Sequence, residues 1–375
     1  MPAVNDTNTN NESCRLTQTV EVNASPVISA LMFAAGVLGN AAALLLIEVR
    51  RRKERSRKQQ EHQRSYTLFH VLVTALVVTD LVGTCLVSPL VQAAHALNTT
   101  LIALTENEGA CQYFGFAMTF FSLATLSLLL AMALERCLAI GYPYLYGRRV
   151  STRCGYVAIP CMYALSALFC CLPFAGIGKY VQYCPGTWCF INMNPDDSAH
   201  RVFANVYATV MLLMVLAVAA CNCFVVYHLV LMYRRRLAHR GTSITRSRKD
   251  RRPFSLSQEM EYLILLVIMT VIFVICSVPL MIRVYINSTQ DRKESNTDLI
   301  ALRFISVNSI IDPWVFIILS PSRLRFLLGA LCKAGNRNSI YRTSLAKNSE
   351  GPIDQCQNIT ISTEITHLNK SAQMI

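Results

Sequence analysis

An arginine and an aspartate stand in one long apolar segment near the carboxyl end of the chain. Residues 299–319 read LIALRFISVNSIIDPWVFIIL, long enough to cross a bilayer as a helix, yet they include Arg303 and Asp312. A charged side chain in hydrocarbon costs at least about 2.5 kcal/mol, so each residue needs a partner or a role. A guanidinium can bind a carboxylate through two parallel hydrogen bonds. The segment therefore combines a membrane span with a candidate anion-binding group.

Polar residues stand inside other apolar segments as well, where contact with lipid would be costly. They are Asn40, Asp80 and, beside Asp312, Asn308. We expect this buried polar network to face the interior of a helix bundle, where polar groups can bond to one another. No Ser/His/Asp set, phosphate-binding loop or metal-ligand spacing occurs, so the sequence predicts no enzyme, no cofactor and no metal site.

The composition indicates a membrane protein. Of the 375 residues, 53% are hydrophobic and 15% are charged, whereas soluble proteins average about 25% charged residues. The net charge of +13 would suit nucleic acid, but the basic residues lie in short runs between apolar segments. That pattern is typical of cytosolic loops, so we expect membrane lipids and no nucleic acid as partners.

Seven apolar segments are long enough to span the membrane, which predicts an all-α fold, a seven-transmembrane helix bundle with a short amphipathic eighth helix. The segments are 26–49, 67–94, 111–140, 155–175, 203–233, 260–286 and 299–319. The predicted regions are 1–25 (extracellular N-terminus), 26–320 (transmembrane domain), 321–333 (amphipathic membrane-surface helix) and 334–375 (disordered cytosolic tail).

The charges of the connections predict the orientation. The connection after the first segment, RRRKERSRKQQEHQR, and the one after the fifth are strongly basic, whereas NTTLIALTENEG after the second contains no Lys or Arg. Basic loops stay in the cytosol, so we expect an extracellular N-terminus and a cytosolic C-terminus. Glycosylation sequons on the predicted outer side agree with this: Asn5, Asn11, Asn23 and Asn98.

The amphipathic helix predicted at 321–333 has leucines spaced to form one apolar face between basic residues, which suits the inner surface of a membrane. Cys332 near its end is a candidate for palmitoylation, and an unmodified thiol is the alternative. The polar, Ser/Thr-rich composition after it predicts disorder.

Arg303 needs a partner that its own segment does not supply. Asp312 is nine residues further on, about 900° around a helix with 3.6 residues per turn, and therefore on the opposite face. Arg303 lies about four residues inside the outer end of the span, and no acidic residue within the first six spans lies near that level. We therefore expect an acidic lipid from outside to bind Arg303. The alternative is an arginine that extends to the outer headgroups.

The order of the polar motifs resembles one family. Glu135-Arg136-Cys137 closes the third span at its cytosolic end, and Asp312-Pro313-Trp314 follows the buried Asn308 in the seventh. Seven spans with these residues in this order resemble the rhodopsin-like G-protein-coupled receptors over about residues 26–333. The resemblance implies that Glu135 and Arg136 take part in G-protein coupling.

A loop string narrows the resemblance. QYCPGTWCF at 182–190 closely resembles the second extracellular loop of the prostanoid receptors, which also share the arginine at 303. Strings such as DLVGTCLVSP and SVNSIIDPWVF look most like the prostaglandin E receptor subtype that couples to the stimulatory G protein. Met118, where amine receptors have an aspartate, and a seventh span without lysine argue against amine receptors and opsins.

The resemblance implies a ligand, prostaglandin E2, and residues that bind it. Its carboxylate would bind Arg303, with hydrogen bonds from Thr187 and from His95, which stands where the family has a tyrosine. The other implied cavity residues are Ser29, Met32, Met118 and Ser306. For Met118 a plain core position is the alternative.

The resemblance also implies a disulfide bond between Cys111 and Cys189, with two free thiols as the alternative; Cys14 and Cys184 are a second candidate pair. Asp80 and Asp312 would share water or a sodium ion and rearrange on activation, or else form a static hydrogen-bonded network.

The function implied is a plasma-membrane receptor that binds prostaglandin E2, activates the stimulatory G protein and raises cyclic AMP, with arrestin as a further partner at the tail. The alternative is an organic-anion transporter or channel anchored on Arg303. Transporters often contain internal repeats, and the two halves of this chain show none.

Overall fold

The computed structural model of the chain describes residues 16–20, 25–58, 68–193, 197–240, 253–289 and 295–318. Its helices are α1 (Pro26–Lys58), α2 (Leu68–Leu97), α3 (Gly109–Gly141), α4 (Pro143–Arg149), α5 (Thr152–Cys170), α6 (Ser198–Arg240), α7 (Pro253–Thr289) and α8 (Ser295–Ile318). All of these except the short α4 contain an apolar stretch long enough to cross a membrane, which makes seven spans within the described residues. The predicted all-α fold and its seven spans are confirmed, and the protein is a multi-pass membrane protein.

Helix α3 runs through the centre of the bundle and packs against α2, α5 and α6. Phe114, Leu126 and Met132 on α3 are almost completely buried. The outer helices instead expose apolar side chains, for example Leu165 and Leu168 on α5. An apolar outer face is what a helix in lipid requires, since lipid tails are as apolar as leucine.

A β-hairpin covers one end of α3. Strands β1 (Tyr180–Tyr183) and β2 (Trp188–Ile191) pair antiparallel, with Tyr183 opposite Trp188. Tyr180 packs so closely on Gly115 of α3 that a Cβ there would lie 2.6 Å from the tyrosine ring. The Tyr180 hydroxyl donates a 2.9 Å hydrogen bond to the Cys170 carbonyl at the end of α5. Burial raises the pKa of Tyr180 far above its usual value.

The described residues up to Ile317 belong to one compact unit, and the second unit, 318–375, is outside the described residues except for Ile318. Several predictions concern residues outside the described ranges and are not tested. They are the amphipathic helix at 321–333 with Cys332, the disordered tail at 334–375, and the sequons at Asn5, Asn11 and Asn23.

Candidate functional site

A cavity within the bundle is lined by residues from α1, α2, α3, α7, α8 and β2. Four residues predicted from the sequence line it: Ser29, Met32, Met118 and Ser306. Two of them are already bonded to their own helices, because the hydroxyl of Ser29 donates to the Pro26 carbonyl and that of Ser306 to the Leu302 carbonyl. Both hydroxyls therefore keep lone pairs that can accept a hydrogen bond from a ligand.

Arg303, Thr187 and His95 are not among the residues that line this cavity, although each is close in sequence to one that does. Arg303 precedes the lining residue Ser306 by three positions, slightly less than one turn of α8. The Arg303 side chain is exposed and makes no hydrogen bond or ion pair within the part of the chain that the structure describes. The arginine thus retains all of its donors for another molecule.

Thr187 and His95 are each close in sequence to a residue that lines the cavity. Thr187 is buried in the turn of the β-hairpin, next to the lining residue Trp188. His95 is half-buried in the last turn of α2, three residues beyond the lining residue Gln92. Residues three apart share a helix face. His95 therefore lies on the same face of α2 as the lining residue Gln92.

Gln92 is a cavity residue that the sequence analysis missed. Its side-chain nitrogen is inaccessible to solvent and has no hydrogen-bond partner. A buried donor without a partner is costly, about 1–3 kcal/mol, so such a group in a cavity wall is suited to bind an acceptor on a ligand. The only sequence signal for Gln92 is that it is a single glutamine within the apolar stretch LVQAA.

A disulfide bond between Cys111 and Cys189 attaches the β-hairpin to the first turn of α3, as the resemblance implied. Next to it, the rings of Trp188 and Phe114 meet edge to face, with centroids 5.8 Å apart. The hairpin is thereby held over the cavity. Cys184 also takes part in a disulfide bond, and Cys14 lies outside the described residues.

The predicted buried polar network comes together at the inner end of the cavity. Thr125 donates a 3.1 Å hydrogen bond to one Asp80 oxygen, Asn308 donates a 3.2 Å bond to one Asp312 oxygen, and Asn40 donates a 3.1 Å bond to the Ser309 carbonyl. The second oxygens of Asp80 and Asp312 have no hydrogen-bond donor, and neither do the amide oxygens of Asn40 and Asn308. Among the described residues no group of three or more His, Cys, Asp or Glu side chains could hold a metal ion.

Glu135 and Arg136 are buried at the opposite end of α3. The Arg136 guanidinium bonds to both carboxylate oxygens of Glu135, and the Tyr146 hydroxyl of α4 donates a 2.6 Å hydrogen bond to the same carboxylate. Arg136 also lies over the Phe69 ring of α2. In this conformation Arg136 is held inside the bundle and is closed to a partner.

Two sequons among the described residues differ in their surroundings. Asn98 is exposed after the end of α2, whereas Asn287 is buried and bonded to Asp298. Of these two, only Asn98 is accessible for glycosylation.

Comparison with known proteins gives concordant matches. The family model described as 7 transmembrane receptor (rhodopsin family) matches residues 55–316. The chain is 50% identical to the Prostaglandin E2 receptor EP2 subtype of Rattus norvegicus, over 92% of this chain and 94% of the relative. The corresponding protein of Homo sapiens is 50% identical over 86% of this chain and 90% of the relative.

More distant matches agree. The Prostacyclin receptor of Mus musculus is 43% identical over 85% of this chain and 74% of the relative. The crystal structure of squid rhodopsin superposes with a TM-score of 0.63 at 15% identity, over 80% of this chain and 82% of that chain. The second match bears on the fold alone. These matched proteins are receptors and not enzymes.

Proposed function

Because the chain belongs to the rhodopsin family of seven-transmembrane receptors, within the prostanoid receptor group, we propose that it is a cell-surface receptor for prostaglandin E2. In this proposal it binds the ligand from the extracellular side, activates the stimulatory G protein and raises cyclic AMP. The relatives that are 50% identical are named for prostaglandin E2, which supports this ligand.

The observation that carries the proposal is the unpaired Arg303. An arginine in a membrane-spanning helix needs a compensating group, and no described residue bonds to this one. A prostanoid has one carboxylate on a long apolar body, so it supplies the charge that Arg303 lacks. The guanidinium binds such a carboxylate through two parallel hydrogen bonds.

The remaining contacts follow from the cavity. Thr187 and His95 add hydrogen bonds at the carboxylate end, while Met32 and Met118 pack against the apolar chain. Ser29 and Ser306 accept hydrogen bonds from hydroxyl groups of the ligand, and Gln92 donates a hydrogen bond to one of its oxygens. Methionine suits this task because its flexible side chain adapts to an irregular shape.

The ligand acts by shifting an equilibrium between two conformations, since no covalent step is needed. In the inactive conformation Arg136 is bonded to Glu135 and closed to the G protein. The ligand favours a conformation in which Arg136 turns towards the cytosol and contacts the G protein. The unsatisfied oxygens of Asp80 and Asp312 support the alternative in which the two carboxylates share water or an ion and rearrange in this transition.

The proposal includes an orientation and a location. The N-terminus is extracellular and carries glycans, with Asn98 on the same side, and the C-terminus is cytosolic. Residues 321–333 lie on the inner leaflet, with palmitoylation at Cys332, and the tail at 334–375 binds arrestin. The receptor resides in the plasma membrane.

A cyclic AMP assay in transfected cells tests the proposal. Cells that express the chain are exposed to a panel of prostanoids, with vector-transfected cells as the control. Prostaglandin E2 should raise cyclic AMP only in the cells that express the chain. Ligand-independent flux of organic anions without a cyclic AMP response would favour the transporter alternative instead.

A further inference from the structure

A buried ion pair joins α7 to α8 near their extracellular ends. The Nε of Arg283 lies 2.8 Å from one Asp298 oxygen, and their side chains are 15% and 7% exposed. The Asn287 amide donates a hydrogen bond of 3.1 Å to each oxygen of Asp298. Both oxygens of Asp298 are therefore engaged by α7.

Asp298 is the acidic residue of α8 that lies nearest to Arg303 along the chain. It precedes Arg303 by five residues, which corresponds to about 8 Å along the axis and about 140° around it. At that angle the two side chains point to nearly opposite sides of α8, so their charges lie about 13 Å apart, where at an effective dielectric constant of about 20 two unit charges alter a binding constant by about ten-fold. An uncompensated carboxylate at position 298 would thus attract Arg303 and repel the ligand's carboxylate.

We propose that Arg283 is a positioning residue for the ligand anchor: by neutralising Asp298, it leaves Arg303 available to the carboxylate of the ligand. The inference rests on the proposed function. Stability alone does not account for the pair, because burying two charges costs about as much as their attraction returns. With Asp298 paired to Arg283, the acidic residue five positions before Arg303 adds little negative potential at the anchor.

The experiment separates the effect of charge from the effect of structure. Affinities for prostaglandin E2 as the free acid and as its methyl ester are measured per surface receptor in three variants: Arg283→Gln, Asp298→Asn and the double variant. Arg283→Gln should weaken binding of the acid about ten-fold and change binding of the neutral ester by no more than about two-fold. The double variant should regain the affinity for the acid, because it contains neither charge.

The other variants supply the control and the contrary result. Lys179→Gln removes an exposed positive charge from the extracellular loop and should leave the ratio of acid to ester affinity unchanged. Equal losses for acid and ester, or a loss that persists in the double variant, would show that the pair only links the helices. If Arg283→Gln does not reach the cell surface, the Asp298→Asn variant tests the inference instead. Its affinity for the acid should equal or exceed the wild-type value, and a lower affinity would overturn the inference. A wild type that binds neither form contradicts the proposed function itself.

Discussion

The guanidinium of Arg136 lies 4.5 Å from the centroid of the Phe69 ring while it bonds to both oxygens of Glu135. Arg136 is thus held by the adjacent residue Glu135 and by the aromatic ring of Phe69 from α2. Near the same end of α3, Val225 and Leu229 of α6 pack against Leu263 of α7. Opening this end for a partner requires both sets of contacts to separate.

Replacing Tyr146 by Phe should raise basal signalling. The change removes a 2.6 Å hydrogen bond to the Glu135 carboxylate. A hydrogen bond to a charged group contributes about 1.5–3 kcal/mol, so the ratio of open to closed receptor should rise by at least about ten-fold. The measurement is cyclic AMP without ligand, at equal surface expression. Tyr144→Phe is the matched control, because Tyr144 is on the same short helix and is 77% exposed; equal basal activity in both variants would contradict the prediction.

Replacing Arg136 by Ala should separate ligand binding from signalling. Arg136 lies at the end of α3 remote from the β-hairpin, so the ligand cavity should keep its shape. We expect wild-type affinity for prostaglandin E2 and a strongly reduced maximal cyclic AMP response. Radioligand binding and cyclic AMP are measured on the same cells. Unchanged maximal signalling at equal surface expression would count against coupling through Arg136.

Replacing Arg303 by Gln should abolish the preference for a charged ligand. Loss of one partner leaves the other charge desolvated, which costs about 2–5 kcal/mol, or about thirty-fold to a few thousand-fold in affinity. The free acid and the methyl ester are compared on wild type and variant. The wild type should prefer the acid strongly, and the variant should hardly distinguish the two.

Two results would contradict this anchor. A variant that keeps the full preference for the acid would show that the carboxylate binds elsewhere, for example at His95. A variant with lower surface expression and unchanged affinity would indicate an arginine that only extends to the headgroups.

Replacing Gln92 by Met should weaken ligand binding without lowering expression. The amide nitrogen has no partner in the protein, so its removal costs the folded state nothing, while the ligand loses one hydrogen bond. A hydrogen bond contributes about 1 kcal/mol, so affinity should fall about five-fold. Methionine preserves the volume of the side chain. Wild-type affinity in this variant would mean that the amide does not contact the ligand.

Replacing Cys189 by Ser should abolish ligand binding at the cell surface. The disulfide bond to Cys111 holds the β-hairpin over the cavity, and without it the hairpin can leave α3. Because both substitutions break the same bond, the double variant with Cys111→Ser should be no worse than either single variant. Saturation binding on intact cells measures this, and full binding by Cys189→Ser would refute the role of the hairpin.

The seven spans could be predicted from the amino-acid sequence, because span length and hydropathy are local properties of each segment. It also identified Asn40, Asp80, Asn308 and Asp312 as interior residues, since lipid excludes polar groups. The motifs around Glu135 and in the loop at 182–190 indicated the family. All of these follow from residue types and spacing within single segments.

Contacts between residues of different helices could not be predicted in this way. That Gln92 lines the cavity depends on how α2 is rotated about its axis, and LVQAA alone does not specify that rotation. Tyr146 of α4 bonds to Glu135 of α3 across a sequence separation of 11 residues, a contact that residue types alone do not specify. Asp298 forms an ion pair with Arg283, which is fifteen residues earlier in the sequence and on another helix. Neither segment alone indicates this pair. The physical reason is that hydropathy specifies which segments are in the membrane, whereas contacts between helices depend on their packing and rotation.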